Sequence, residues 1–164
     1  MELRKAEVVE IIRGELAREL ASMTRAALAA REAATHEESR AEDAHDTRGI
    51  EASYLAGAQA ERAAQLQESL VFFEKLQIRD FSPEEPVQVG ALVSWVNENA
   101  GKKKAWALLL PAGAGTSVRL GELTIQVVHP QSPLGQALLG LKSGDSFELE
   151  TPRGEQECEL RSVQ

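Results

Sequence analysis

The sequence predicts an α+β protein: an amino-terminal antiparallel coiled-coil helical hairpin, then a small, mostly antiparallel sheet with one short helix. Three observations predict it. Apolar residues recur every three or four positions through two long stretches, and no proline occurs before Pro83. The segment Asp80–Pro86 then carries two prolines, which end helical patterning. Beyond it the apolar period falls to two, the period of strands.

The first helix is predicted from Glu2 to about Thr35, on the stripe Val9, Ile12, Leu16, Leu20, Met23, Ala27, Ala30 and Ala34. At 1.5 Å per residue it would be roughly 50 Å long. A second stripe, Ala52, Ala56, Gln59, Ala63, Leu66, Leu70, Phe73 and Leu76, predicts a helix from about Glu51 to Arg79. The polar stretch His36–Gly49 separates them. Residues 1–79 therefore read as a hairpin with its tip at about 36–50. Folded back, Val9–Leu20 lies opposite Leu66–Leu76, and alanines meet alanines towards the tip. The rod should be thick at its base, and slender and less stable distally, because a buried alanine removes less apolar area than a leucine.

Residues 80–86 form a linker, and 87–164 a second unit. Its strands are predicted at Val87–Val96, Ala105–Leu110, Leu123–Val128, Ser146–Glu150 and Glu157–Val163. Ser132-Pro133 suits an N-cap followed by proline in the first helical position, opening a short helix that ends near Gly140. With about 78 residues this unit has a modest core, so packing against the hairpin base is expected.

Composition narrows the function. Of the 164 residues, 26 are acidic and 18 basic, a net charge of -8. Residues 1–86 hold 18 acids and 11 bases, so nearly all of the imbalance lies in the first half. Direct grip on a nucleic-acid backbone needs clustered cations, which disfavours it here. No apolar run approaches the roughly 20 residues that span a bilayer. A single cysteine, Cys158, excludes an internal disulfide framework and fits a reducing cytoplasm.

The segment His36–Glu51 gathers six carboxylates and two arginines. Carboxylates at one end of a rod suit a hard cation such as Mg²⁺ or a basic channel. They equally suit a solvated turn whose acids favour a helix N-terminus. The spacing of His36 and His45 matches no zinc pattern. His129, at a strand end beside Pro130, reads as structural, and Cys158 as a buried strand residue. Lys102-Lys103-Lys104 reads as a basic hairpin loop. Pro111–Thr116 lacks the lysine of a phosphate-binding loop and reads as a flexible connection.

The run Ser132-Pro133-Leu134-Gly135-Gln136-Ala137-Leu138-Leu139-Gly140, followed by Gly144-Asp145 and Pro152-Arg153-Gly154, resembles the carboxy-terminal domain of the Gre family of bacterial transcription elongation factors. The resemblance implies a hairpin joined to an FKBP-like domain, similar to FK506-binding proteins, and a cytoplasmic, monomeric protein. It implies bacterial RNA polymerase as partner, with nucleic acid met only indirectly within the elongation complex. The sheet domain would dock at the rim of the secondary channel through the motif of Ser132, Pro133, Leu134, Gly135, Ala137, Leu138, Gly144 and Asp145. The hairpin would enter the channel, and tip acids would share the polymerase's Mg²⁺ and stimulate cleavage of backtracked RNA. The chain would have no catalytic residue or stable metal of its own.

The tip departs from the family pattern: Asp46-Thr47-Arg48-Gly49-Ile50-Glu51-Ala52-Ser53-Tyr54 has a different acid spacing, and Arg48 intrudes. Asp43 and Asp46 are the metal-facing candidates, with Glu42 and Glu51 next. An altered tip also suits a factor that blocks the channel without stimulating cleavage. A coiled-coil interaction module unrelated to transcription is the rival from another class. Independent prolyl isomerase activity is not expected, since Trp95, Trp106 and Phe147 are the second half's only aromatics.

Overall fold

The computed structural model describes residues 3–35, 48–97, 104–151 and 154–164. Two long helices, α1 (Lys5–Thr35) and α2 (Arg48–Lys75), precede β1 (Leu92–Asn97), β2 (Lys104–Leu109), β3 (Ser117–Leu120) and β4 (Leu123–Val128). The short helix α3 (Pro133–Leu138) and strands β5 (Ser146–Thr151) and β6 (Gly154–Val163) complete the chain.

The two stripes bring α1 and α2 together lengthwise. Leu16 and Leu66 are both almost fully buried in one cluster, and Arg62 of α2 bonds Glu19 of α1 at 2.9 Å. Lys5 of α1 reaches Arg79 beyond the end of α2, so the helices run antiparallel. Helix α2 ends at Lys75, and the chain is already irregular by Leu76–Arg79, where the stripe alone had extended the helix.

The strands form one six-stranded sheet in the order β3-β4-β2-β1-β6-β5. Every neighbouring pair is antiparallel except β2 and β4. That parallel pair arises because the chain leaves β2, turns back as β3 one place further out, and fills the gap with β4. Strand β3 went unpredicted, since only Val118 of its four residues is buried and so short a run shows no period. The first strand begins later than its apolar pattern suggests. Val87 instead exchanges backbone bonds with the end of α3, its N–H donating to Leu141 (2.8 Å) and its carbonyl accepting from Gly140 (2.9 Å).

Alternation along the strands makes two cores. On the near face, Leu92, Trp106, Leu108, Leu110, Val118, Ile125 and Val127 pack with Val8, Val9, Ile12, Leu16, Leu66 and Phe73 of the hairpin base. On the far face, Val93, Trp95, Ala107, Leu109, Cys158, Leu160 and Val163 pack with Leu138 of α3 and with Phe81 and Val87. The sheet is thus covered by the hairpin base on one side, and by α3 and the linker on the other. Among the described residues, no helix is long and apolar enough to cross a membrane.

Candidate functional site

The motif residues Ser132–Gly140 and Gly144–Asp145 build a single corner between β4 and β5. Ser132 caps α3: its hydroxyl accepts from the N–H of Gly135 (3.1 Å) and donates to the carbonyl of His129 (2.8 Å). Pro133 fills the first helical position, where a missing N–H costs nothing. At Gly135 a Cβ would lie 2.2 Å from the carbonyl oxygen of His129 and 2.8 Å from that of Pro130. Both obstacles are backbone, so only glycine fits.

Leu138 is fully buried in the far-face core, with Leu134 and Ala137 packed beside it. The carboxylate of Asp145 accepts from the N–H of Lys142 (2.7 Å), and its carbonyl accepts from the N–H of Leu160 (2.9 Å). Gly144 donates to the carbonyl of Leu160 (2.8 Å). These contacts use most of the motif to hold the corner's shape. Pro133, Gln136, Leu139 and Asp145 are its exposed side chains, and Leu139 presents an apolar surface.

A second constellation lies where the hairpin meets the sheet, and the apolar patterns alone did not find it. Lys5, at the start of α1, is buried, and its ammonium donates to the carbonyl oxygens of Arg79 and Gly90 (3.1 Å for the latter). It lies 4.5 Å from the centre of the Phe81 ring, and the Arg79 guanidinium lies 4.6 Å from the same ring. Burial lowers Lys5 to about 8, opposed by the nearby Asp80 carboxylate. Arg79 also pairs with Glu85. The backbone N–H of Ser82, with help from Arg79, holds the Glu85 carboxyl below its usual range. The two-proline segment is therefore a strap: it starts at the hairpin, seats Phe81 in the far-face core and ends against α3.

The Pro111–Thr116 segment, expected to be a flexible connection, is part of this joint. Gly115 donates to the carbonyl of Val127, and the N–H of Val127 donates to Thr116 (2.8 Å). A Cβ on Gly113 would stand 2.9 Å from the Phe73 ring, so α2 seats an aromatic directly on the loop backbone. Beside this contact a cleft of ≈ 290 Å³ separates the segment from Arg62, Gln65, Glu68 and Ser69 of α2.

The tip candidates Glu42, Asp43 and Asp46, with His36 and His45, lie outside the described residues, and Glu51 falls in the first turn of α2. Lys102 and Lys103 also lie outside them, while the ammonium of Lys104 sits 4.6 Å from the Trp106 ring centre. Among the described residues no group of three or more His, Cys, Asp or Glu could hold a metal ion. His129 accepts from the N–H of Gln131 through Nδ1 (3.1 Å), and Cys158 is buried, which pushes its thiol up. Trp95 and Phe147 meet edge to face at 6.2 Å on the far face, whereas Trp106 lies on the near face under the hairpin. The three aromatics therefore line no common pocket.

The second half's acids show an arrangement that composition hides. Glu148 stands opposite Glu157, and Glu150 opposite Glu155, on the exposed ribbon β5–β6. Like charges across a strand pair disfavour pairing.

The family model for the carboxy-terminal domain of GreA/GreB transcription elongation factors matches residues 82–164, from the strap to the last residue. Transcription elongation factor GreA of Nitrobacter hamburgensis is 30% identical over 103 residues, 63% of this chain and 60% of the relative. GreA of Ruegeria pomeroyi is 32% identical over 78 residues, 48% of this chain and 46% of the relative. The matched region thus spans 60% or less of these curated relatives. Among solved structures, GreA factor homolog 1 of Thermus thermophilus is 22% identical, with 93% of this chain and 94% of that chain covered and a TM-score of 0.39. The match over 82–164 takes in the whole sheet together with the Ser132–Gly140 corner, and the chain belongs to the GreA/GreB family of transcription elongation factors.

Proposed function

We propose that this chain binds bacterial RNA polymerase through its sheet domain and extends the hairpin into the secondary channel. There its tip acids, Asp43 and Asp46 flanked by Glu42 and Glu51, would face the active-site Mg²⁺ and stimulate hydrolysis of backtracked RNA. The observation that carries this reading is the family match over the sheet domain, with the Ser132–Gly140 motif folded into a defined corner. The exposed Pro133, Gln136 and Leu139 give that corner a surface to dock with.

The hairpin supports the same reading by its shape. Beyond Leu20 and Ala63 its stripe is mainly alanine, which suits the slender rod that channel entry would require. Carboxylates are hard oxygen ligands suited to Mg²⁺. A shared cation would supply a polarised water and neutralise phosphoryl charge. This chain's own part is to carry the ligands in and hold them; the hydrolytic centre belongs to the polymerase.

The test is a backtracked elongation complex with and without the protein. Shortening of the RNA, slowed at least tenfold by Asp43→Ala or Asp46→Ala, is the expected result. Failure of the wild type to bind polymerase would overturn the proposal. Binding without shortening would leave a second reading, channel occupancy alone, which the altered acid spacing and Arg48 favour.

A further inference from the structure

A long rod makes the angle at its base important. Helix α1 has 31 residues, or about 46 Å, so a 10° tilt at the base moves its far end by about 8 Å. Placing a carboxylate against a chosen cation requires far smaller errors, because oxygen–metal distances vary by only a few tenths of an ångström. The near-face core holds the hairpin on the sheet, but apolar burial is non-directional and fixes an angle poorly. Something directional has to set it.

We propose that Lys5 is the positioning residue that sets the hairpin's angle against the sheet. Its ammonium bonds two carbonyls from different parts of the chain: Arg79, where the hairpin gives way to the strap, and Gly90, two residues before β1. The Phe81 ring has this ammonium 4.5 Å and the Arg79 guanidinium 4.6 Å from its centre, and its body is anchored in the far-face core. One side chain at the start of α1 thus ties the hairpin to both ends of the connection into the sheet. Charge-assisted hydrogen bonds are short and directional, which apolar contacts are not. The Phe73 ring against the Gly113 backbone adds a steric stop near the end of α2, which limits approach while the Lys5 bonds supply the direction.

The consequence for RNA cleavage rests on the proposed function, whereas the clamp itself does not. The first measurement therefore uses the free full-length protein. Nitroxide labels are placed on Arg25→Cys in the shaft and Glu122→Cys between β3 and β4, both exposed positions, and the distance between them is read by pulsed dipolar spectroscopy. One narrow distribution is expected with Lys5 in place. Lys5→Met should at least double its width with helix content unchanged, and Lys5→Arg, which keeps charged donors, should restore most of the narrowness. An unchanged distribution in Lys5→Met overturns the proposal. If Lys5→Met does not fold, Phe81→Leu is read by the same two outcomes.

The second measurement is on polymerase. Lys5→Met should bind within twofold of the wild type but stimulate cleavage at least tenfold less. Equal stimulation would overturn the lever-arm consequence. Failure of the wild type to bind would sink the proposed function while leaving the distance result standing.

Discussion

The base and the shaft of the hairpin follow the same sequence rule and end in different environments. At the base, Val8, Val9, Ile12, Leu16, Leu66 and Phe73 are nearly inaccessible, because a third partner, the sheet, closes over the two helices. Further along, Leu20, Met23, Ala27, Ala30 and Ala63 sit on the same stripe yet remain half-buried, Leu20 and Met23 at the margin of the near-face core. Leu28 is 56% exposed and Leu55 55%. The stripe thus specifies which side of a helix turns inward, while the number of neighbours decides how much stability that yields. The shaft contributes little to folding and keeps its slenderness; the base contributes most of it and sets the direction.

The largest test of this contrast is a pair of leucines. Leu66→Ala should lower unfolding free energy by about 2–5 kcal/mol, as cavities in closed cores do. Leu28→Ala should change it by no more than about 0.5 kcal/mol. Urea titrations of both variants check this, and similar costs would erase the distinction between base and shaft.

A smaller effect separates the regions by pH. Lys5 ionises near 8 in the folded base and near its ordinary value of 10.5 when unfolded. The unfolded chain therefore binds more protons between those values, so stability should rise with pH from about 8 towards 10.5 and be insensitive to this group below 8. The expected gain is about 1–2 kcal/mol, and Lys5→Met should abolish it. Chemical denaturation at pH 7.5 and 10 measures the difference; a wild type that weakens over this range as much as the variant would contradict it.

The smallest effect belongs to the shaft. Arg62→Ala removes the pair with Glu19, whose partners are both substantially exposed. A loss of about 0.2–1 kcal/mol, shrinking further in added salt, is expected from thermal unfolding at two ionic strengths.

The same contrast explains what was legible in the sequence. Both long helices and most strands could be read because each has a repeating apolar period. The corner could be read because Ser, Pro and Gly fall at the offsets that a capped short helix needs. What escaped lacks a period. Strand β3 buries one residue, the parallel β2–β4 pair depends on a long-range crossing, and Gly113 matters only because Phe73 arrives from 40 positions away in sequence. Lys5 had one available signal: it stands three and four residues before Val8 and Val9, in register with the stripe yet charged. The metal-facing assignments to Glu42, Asp43 and Asp46 fall outside the described residues, so their support remains the sequence and the family.

Gly135 carries a further consequence. Because the carbonyls of His129 and Pro130 occupy the space where a side chain would begin, the motif that reveals kinship is enforced by the folding of one corner. It will persist in any chain that keeps that corner, whatever its hairpin tip has become. A shared signature of this kind certifies common architecture and leaves each member's action on its target to evolve at the other end of the molecule.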